Sequence, residues 1–213
     1  MSYYWPGICI GLLVGAYWAR VLRLVFKTRK RAGHGANFLP PEPLGRVLRI
    51  IWYPAVVAWI ILPFVTARFP RVEFIGFRMM WNDSSIVWCA VAIAAIAFVA
   101  TLVCWKKMGR SWRMGIDPNE RTQLIVTGPY AYVRHPIYAL QCVLLVTSFI
   151  AVPTIAMLIV VAIGFSLLQW EARREERYLV EKHGAEYEDY LRQVGRFVPR
   201  TRDGYRSRAQ GGT

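Results

Sequence analysis

Cysteine is scarce in this 213-residue sequence, and none of it stands in a recognisable metal or disulfide pattern. There is no CxxC pair and no Cys/His spacing typical of zinc, and each cysteine stands alone in an apolar segment. We therefore expect neither a metal site nor a disulfide framework, and we predict that the cysteines are buried packing residues. They are Cys9, Cys89, Cys104 and Cys142.

Acidic residues are few as well: 13 Asp and Glu stand against 27 Lys and Arg, which gives a net charge of +14. Such an excess can indicate a nucleic-acid-binding protein. Here, however, 55% of the residues are hydrophobic, the mean hydropathy is +0.30, and the basic residues lie between long apolar runs. This pattern is typical of a membrane protein with basic loops beside an anionic leaflet. The expected partners are membrane lipids and not nucleic acid.

The N-terminus lacks the basic segment and the small-residue cleavage site of a secretory signal peptide. The first apolar run, Tyr3 to Phe26, is therefore predicted to be a retained membrane span. Within it Gly7, Gly11 and Gly15 recur every four residues. That spacing permits a close helix contact, although glycine is also ordinary in membrane helices.

Three further apolar runs predict an all-α integral membrane protein. Ile50 to Ala67 and Ser84 to Trp105 each have roughly the length of one span. Ile137 to Trp170 is uncharged, and as one helix it would measure about 51 Å, too long for a hydrocarbon core of about 30 Å. A break near Pro153 would turn it into a helical hairpin, so we predict five spans.

The distribution of Lys and Arg predicts the orientation. Residues 27–49, 106–135 and 171–213 each carry more of them than residues 68–83. By the positive-inside rule the three richer segments face the cytoplasm. Prolines in the first of them predict a basic, kinked loop.

We divide the single domain into N-terminal transmembrane helices at 1–105, a catalytic region with the hairpin at 106–200 and a disordered tail at 201–213. The apolar positions from Glu171 to Leu191 predict an amphipathic cytoplasmic helix that continues the last span. Gly184 is expected to break or bend it.

Two polar segments flank the hairpin. The first reads LIVTGPYAYVRHPIY from Leu124 to Tyr138, and the second is the charged cluster from Glu171 to Arg177. Because a hairpin returns to the side from which it started, both should lie at one face of the bilayer. Carboxylates and a histidine there are costly unless they are paired or functional. We therefore expect a cleft in which a water-soluble cofactor meets a membrane-borne substrate.

These motifs resemble a known family. GPYAYVRHPIY (Gly128 to Tyr138), the hairpin and then EERYLVEKHGAEYEDYLRQVGRFVP (Glu175 to Pro199) together resemble the isoprenylcysteine carboxyl methyltransferase family. The resemblance covers roughly residues 105–200. It implies an integral-membrane enzyme that uses S-adenosylmethionine and is related to the phospholipid methyltransferases.

The resemblance also implies a cofactor site built from both motifs. Glu175 would pair with the cationic cofactor, and aromatic faces such as Tyr130 and Tyr138 would add cation–π attraction. Each residue type also has an ordinary structural explanation: a turn histidine, interfacial tyrosines, or a solvated glutamate on a helix. The implied cofactor residues are Thr122, Gln123, Leu124, Ile125, Tyr130, His135, Pro136, Ile137, Tyr138 and Glu175.

One position departs from the family pattern. An arginine thought to hold the substrate carboxylate is expected four residues before the cofactor-binding glutamate, and here that residue is Glu171. A carboxylate acceptor is ionised at pH 7 and needs a cation to orient it. Either Arg174, Arg134 or Arg113 supplies that cation, or the acceptor is an amine whose proton Glu171 accepts.

The sequence therefore predicts a methyltransferase with its active site at the cytoplasmic face. Its leading acceptor is the carboxylate of a prenylated cysteine or a similar lipid acid. Three alternatives stay open: a phospholipid or amine methyltransferase, an NADPH-dependent reductase of the sterol type, and a non-enzymatic lipid-binding scaffold. The enzyme hypothesis requires His135 and Glu175 to share one cavity.

Overall fold

The computed structural model describes residues 4–32, 43–69, 76–81, 83–109, 124–200 and Tyr205. These residues form α-helices and one short 3-10 turn, and no strand of a sheet occurs among them. The helices are α1 (Trp5–Ala32), α2 (Pro43–Arg68), α3 (Ser84–Met108), α4 (Pro136–Ala151), α5 (Ile155–His183) and α6 (Ala185–Gln193); the turn is Gly128–Ala131. The all-α membrane architecture predicted above is confirmed.

Four helices, α1, α2, α3 and α5, are long and apolar enough to cross a membrane. Helix α4 is apolar but has only 16 residues, about 24 Å at 1.5 Å per residue, so the count of five spans stays a prediction. Helix α3 presents large apolar side chains outward, as a lipid-facing helix does. They include Ile86, Trp88, Ile93, Ile96, Val99 and Val103.

The predicted break near Pro153 is confirmed. Helix α4 ends at Ala151, and Thr154 caps α5 by accepting a hydrogen bond from the Met157 N–H at 3.1 Å. Gly184, with φ of 55°, separates α5 from α6, as expected of a residue without Cβ. Helix α5 therefore runs from the apolar layer into the charged cluster without interruption.

Helix α4 lies at the centre of the bundle, where it packs against α3, α5 and α1. Polar side chains of its neighbours also bind it. Tyr17 on α1 donates to Gln141 at 3.0 Å, and Trp59 on α2 donates to Ser148 at 2.8 Å. These buried hydrogen bonds fix the register of α4, because unmade partners in an apolar interior are costly.

Two predictions need correction. Residues 27–32 and 43–49 are helical and not part of a loop; Pro43 stands at the start of α2, where its missing N–H costs nothing. Cys104 and Cys142 are buried and Cys9 is half-buried, but Cys89 is exposed, so the expected burial is wrong for that residue. Apart from Tyr205, the tail at 201–213 lies outside the described residues.

The three glycines of α1 differ in their surroundings. A Cβ on Gly7 would lie 2.8 Å from the Pro63 carbonyl oxygen of α2, and one on Gly11 would lie 2.7 Å from the Phe64 ring. A Cβ on Gly15 would meet nothing within 4 Å. The four-residue spacing therefore marks a close contact at two of its three positions.

We predict that Gly7→Ala lowers the stability of the detergent-solubilised protein by about 1–3 kcal/mol, because a backbone oxygen blocks the added methyl group. Gly15→Ala is the matched control and should be neutral or stabilising by up to about 1 kcal/mol, since alanine favours helix. Thermal unfolding of both variants measures this. Equal shifts of the two midpoints would contradict the α1–α2 contact.

Candidate active site

The loop before α4 is joined to the segment after α6. The N–H groups of Arg134 and His135 donate to the carbonyl oxygens of Gly195 and Arg196 at 2.9 and 3.1 Å, and Val133 pairs with Gly195 in an isolated parallel bridge. Pro136 then starts α4. The two sequence motifs are therefore in direct backbone contact.

Glu176 on α5 anchors this junction. Its carboxylate accepts from Arg134 Nε at 2.9 Å and from both Nε and Nη2 of Arg196 at 3.0 and 2.6 Å. Nη1 of Arg134 also donates to the carbonyl oxygens of Leu191 and Val194, which lie at the C-terminal end of α6, where a cation is favoured. Arg134 was predicted as a possible partner of the substrate carboxylate. In the structure its guanidinium binds Glu176 and two backbone carbonyl oxygens.

Glu175, the next residue, has different surroundings. Tyr138 donates to its Oε1 at 2.6 Å, and His135 Nδ1 lies 3.4 Å from its Oε2. Its side chain is 24% exposed, whereas that of Glu176 is 9% exposed. Glu175 therefore carries a partly exposed carboxylate that contacts one hydroxyl and one imidazole. His135 and Glu175 are close together, as the enzyme hypothesis requires.

His135 lies between the two carboxylates and stacks on Tyr138, with ring centroids 5.4 Å apart and planes 5° from parallel. Burial by itself lowers the pKa of this imidazole, but the carboxylates of Glu175 and Glu176 outweigh it and raise the pKa above its ordinary value of 6.5. The Nε2 atom lies 3.3 Å from Glu176 without hydrogen-bond geometry. The imidazole is thus biased toward its charged form.

Tyr130 is buried beside this cluster. Its carbonyl oxygen accepts from the Tyr190 hydroxyl, while its own hydroxyl has no hydrogen-bond partner among the described residues. Burial raises the pKa of the Tyr130 phenol, so the group is a neutral donor. A buried hydroxyl without a partner is unfavourable, and a bound polar molecule would satisfy it.

A second charged cluster lies one turn earlier on α5. Glu171 Oε1 is 3.0 Å from Arg49 Nη2, and Glu171 Oε2 is 3.2 Å from Arg174 Nη1. The Arg174 guanidinium also lies over the Trp170 ring, 5.5 Å from its centroid. Both arginines are buried. Glu171 and Arg174, both predicted as candidate catalytic residues, are thus paired with each other, and Arg49 of α2 joins them.

The remaining predicted residues are distributed around these clusters. Pro136 is buried and Ile137 half-buried in the first turn of α4, and Leu124 packs on the apolar cluster of Tyr187, Tyr190 and Val194. Ile125 is half-buried next to it. Thr122, Gln123 and Arg113 lie outside the described residues.

Sequence reasoning missed Arg49, Arg196 and the anchoring role of Glu176. The motif GRFVP contains Arg196 and could have indicated it. Arg49 gave no such signal, because it stands in the segment predicted as a loop. Its partner, Glu171, is distant in sequence and became visible only from the packing of α2 against α5.

Part of the chain is similar to known proteins. The model of the isoprenylcysteine carboxyl methyltransferase (ICMT) family matches residues 88–181. The nickel-cobalt-cadmium resistance protein NccN of Alcaligenes xylosoxydans xylosoxydans is 27% identical over 164 residues, which are 75% of this chain and 70% of that protein. The family match covers α3 from Trp88 onward, the hairpin and the residues from Tyr130 to Glu176, and it supports a membrane methyltransferase.

We predict a pH-dependent contribution of His135 to stability. Because its pKa is raised in the folded state, the contribution is fully present below about pH 6.5, the ordinary value, and is lost as the pH rises through the raised pKa. The difference in unfolding free energy between the wild type and His135→Gln should therefore shrink as the pH increases. Denaturant titrations across this range measure it, and a difference that is constant with pH would contradict the charged imidazole.

Proposed function

Since residues 88–181 match the model of the isoprenylcysteine carboxyl methyltransferase family, we propose that the protein is a membrane methyltransferase that uses S-adenosylmethionine and methylates a lipophilic carboxylate beside Glu175. The observation that carries the proposal is the contrast between two adjacent glutamates. Glu176 is neutralised by two arginines, while Glu175 is partly exposed and held by Tyr138 and His135. Glu175 is therefore suited to bind a cationic ligand.

The residues present fit such a cofactor. S-adenosylmethionine supplies a methyl group on a positively charged sulfur and carries an ammonium group. Glu175 holds the positive charge, and Tyr138 fixes the orientation of that carboxylate by its hydrogen bond of 2.6 Å. The Tyr130 hydroxyl, which lacks a partner among the residues described, can donate to a polar ligand atom. Leu124, Ile125, Pro136 and Ile137 would line the site, and Thr122 and Gln123 are proposed with them.

The protein's contribution to catalysis is positioning and exclusion of water. A carboxylate acceptor is already ionised at pH 7, so the reaction needs no general base. His135 is accordingly proposed as a binding and positioning group and not as a proton acceptor. Its contacts with Glu175 and Glu176 hold the loop before α4 against α5.

The leading acceptor is the carboxylate of a prenylated cysteine or a similar lipid acid. Glu171 and Glu175 lie on α5, a helix long and apolar enough to cross a membrane, so an acceptor with a long apolar chain could remain in the lipid while its polar end reaches the charged clusters. The excess of Lys and Arg in the segments that carry these clusters supports an active site at the cytoplasmic face.

We predict that Glu175→Gln weakens S-adenosylmethionine binding by about 10- to 100-fold, because the ligand loses a charged partner. Glu181→Gln, an exposed position on the same helix, is the matched control and should bind as the wild type does. Isothermal calorimetry in detergent measures both. Undiminished binding by Glu175→Gln would refute the assignment. Binding of NADPH alone would favour a reductase, and binding of anionic vesicles alone a scaffold.

A transfer assay tests the acceptor. With radiolabelled S-adenosylmethionine, we expect the label to appear on N-acetyl-farnesylcysteine and not on phosphatidylethanolamine, because only the former offers an ionised carboxylate on a lipid chain. Incubation with the methyl ester of the first compound is the control, since its acceptor oxygen is already methylated. Preferential labelling of phosphatidylethanolamine would instead identify an amine methyltransferase.

A further inference from the structure

Arg49 stands apart from every residue assigned so far. It lies on α2, before the region matched by the family model, which begins at residue 88. Yet it reaches the site, since its Nη2 is 3.0 Å from Glu171. Only 6% of the residue is exposed, although it carries a full positive charge. A buried charge of this kind is either paired for stability or used for binding.

Two guanidiniums, those of Arg49 and Arg174, bind the Glu171 carboxylate at 3.0 and 3.2 Å. Glu175, one turn further along α5, adds a second carboxylate to this region, so the choice of ligand depends on the donors that Arg49 itself presents. Both oxygens of Glu171 are occupied by arginine donors, so this carboxylate is poorly placed to accept the proton of an amine.

The unsatisfied hydrogen-bond donors near Arg49 indicate the class of ligand. The Nε–H of Arg49 is buried and has no partner among the described residues. The Nε1–H of Trp18 is also buried and has no partner among the described residues. The Trp18 ring lies 5.8 Å from the ring of Trp52, and Trp52 follows Arg49 by one turn of α2. Both groups are donors only. A ligand that satisfies the Arg49 donor must present an acceptor atom, and the ring of Trp52, one turn away on α2, offers contact to an apolar chain.

The position suits the proposed reaction. Glu171 and Glu175 are one turn apart on α5, about 6 Å along its axis. An acceptor carboxylate held by Arg49 would thus lie next to a cofactor held by Glu175. Methyl transfer requires the two reacting groups to be held adjacent in this way.

We propose that Arg49 is the specificity-determining residue that binds the acceptor carboxylate. Before the acceptor binds, Arg49 is paired with the Glu171 carboxylate, which the acceptor carboxylate then displaces. The inference rests on the proposed methyl transfer. In that step a lone pair of the carboxylate oxygen forms the O–CH3 bond while the C–S bond breaks and its electrons stay on sulfur. The products are a neutral ester and S-adenosylhomocysteine, and no proton moves. Loss of the negative charge then weakens the hold of Arg49 on the ester.

Binding of N-acetyl-farnesylcysteine and of its methyl ester to the purified full-length protein tests the inference. The wild type should prefer the free acid, and the double variant Arg49→Gln/Glu171→Gln should reduce that preference by about 10- to 100-fold, because a charged hydrogen-bond donor is lost. Glu171→Gln alone should increase the preference, since it frees Arg49. Arg49→Lys keeps the charge without the Nε donor and should be intermediate.

The double variant separates recognition from structure, because it removes both charges and leaves no unpaired Glu171. If Arg49 only neutralises Glu171, the double variant keeps the wild-type preference for the acid, and the inference is overturned. Equal wild-type affinities for acid and ester, or loss of S-adenosylmethionine binding in the double variant, would also overturn it. A preference for the acid that depends on Arg49, without methyl transfer by the wild type, would refute the proposed function instead.

Discussion

The active-site geometry depends on the buried ion cluster around Glu176. This carboxylate joins α5 to the loop before α4 through Arg134 and to the segment after α6 through Arg196. Removal of one partner from such a cluster leaves an uncompensated buried charge and costs about 3–5 kcal/mol. The backbone contacts between residues 133–135 and 195–196 join the same two segments. The anchor thereby fixes where Glu175, its neighbour, stands relative to His135.

The sequence was informative where a local pattern carries the information. The break at Pro153, the end of α5 at Gly184 and the closeness of His135 to Glu175 follow from proline, glycine and the hairpin constraint. The start of α2 was misplaced, because a proline that opens a helix and one that kinks a loop look alike in sequence. Arg49 was missed for the same reason.

The ion-pair partners could not be read from the sequence. Glu171, Glu175 and Glu176 stand within six residues of one helix, and helical spacing alone makes the first two neighbours on one face. What distinguishes them is the residue that each meets from another element: Arg49 of α2, Tyr138 of α4, or Arg196 beyond α6. These choices arise from tertiary packing, which a single sequence does not specify.

The long helix α5 carries both an apolar part that packs within the bundle and the three glutamates of the site. The apolar part of α5 is held against α4 by a close approach at Gly164, where a Cβ would lie 2.7 Å from Leu145. A rotation of α5 about its axis would therefore meet a steric barrier. Since the helix is unbroken to His183, the same contact sets the direction of Glu171 and Glu175 several turns away. The packing of α5 against α4 at Gly164 thus influences the positions of the charged residues, although Gly164 itself is several turns away from them.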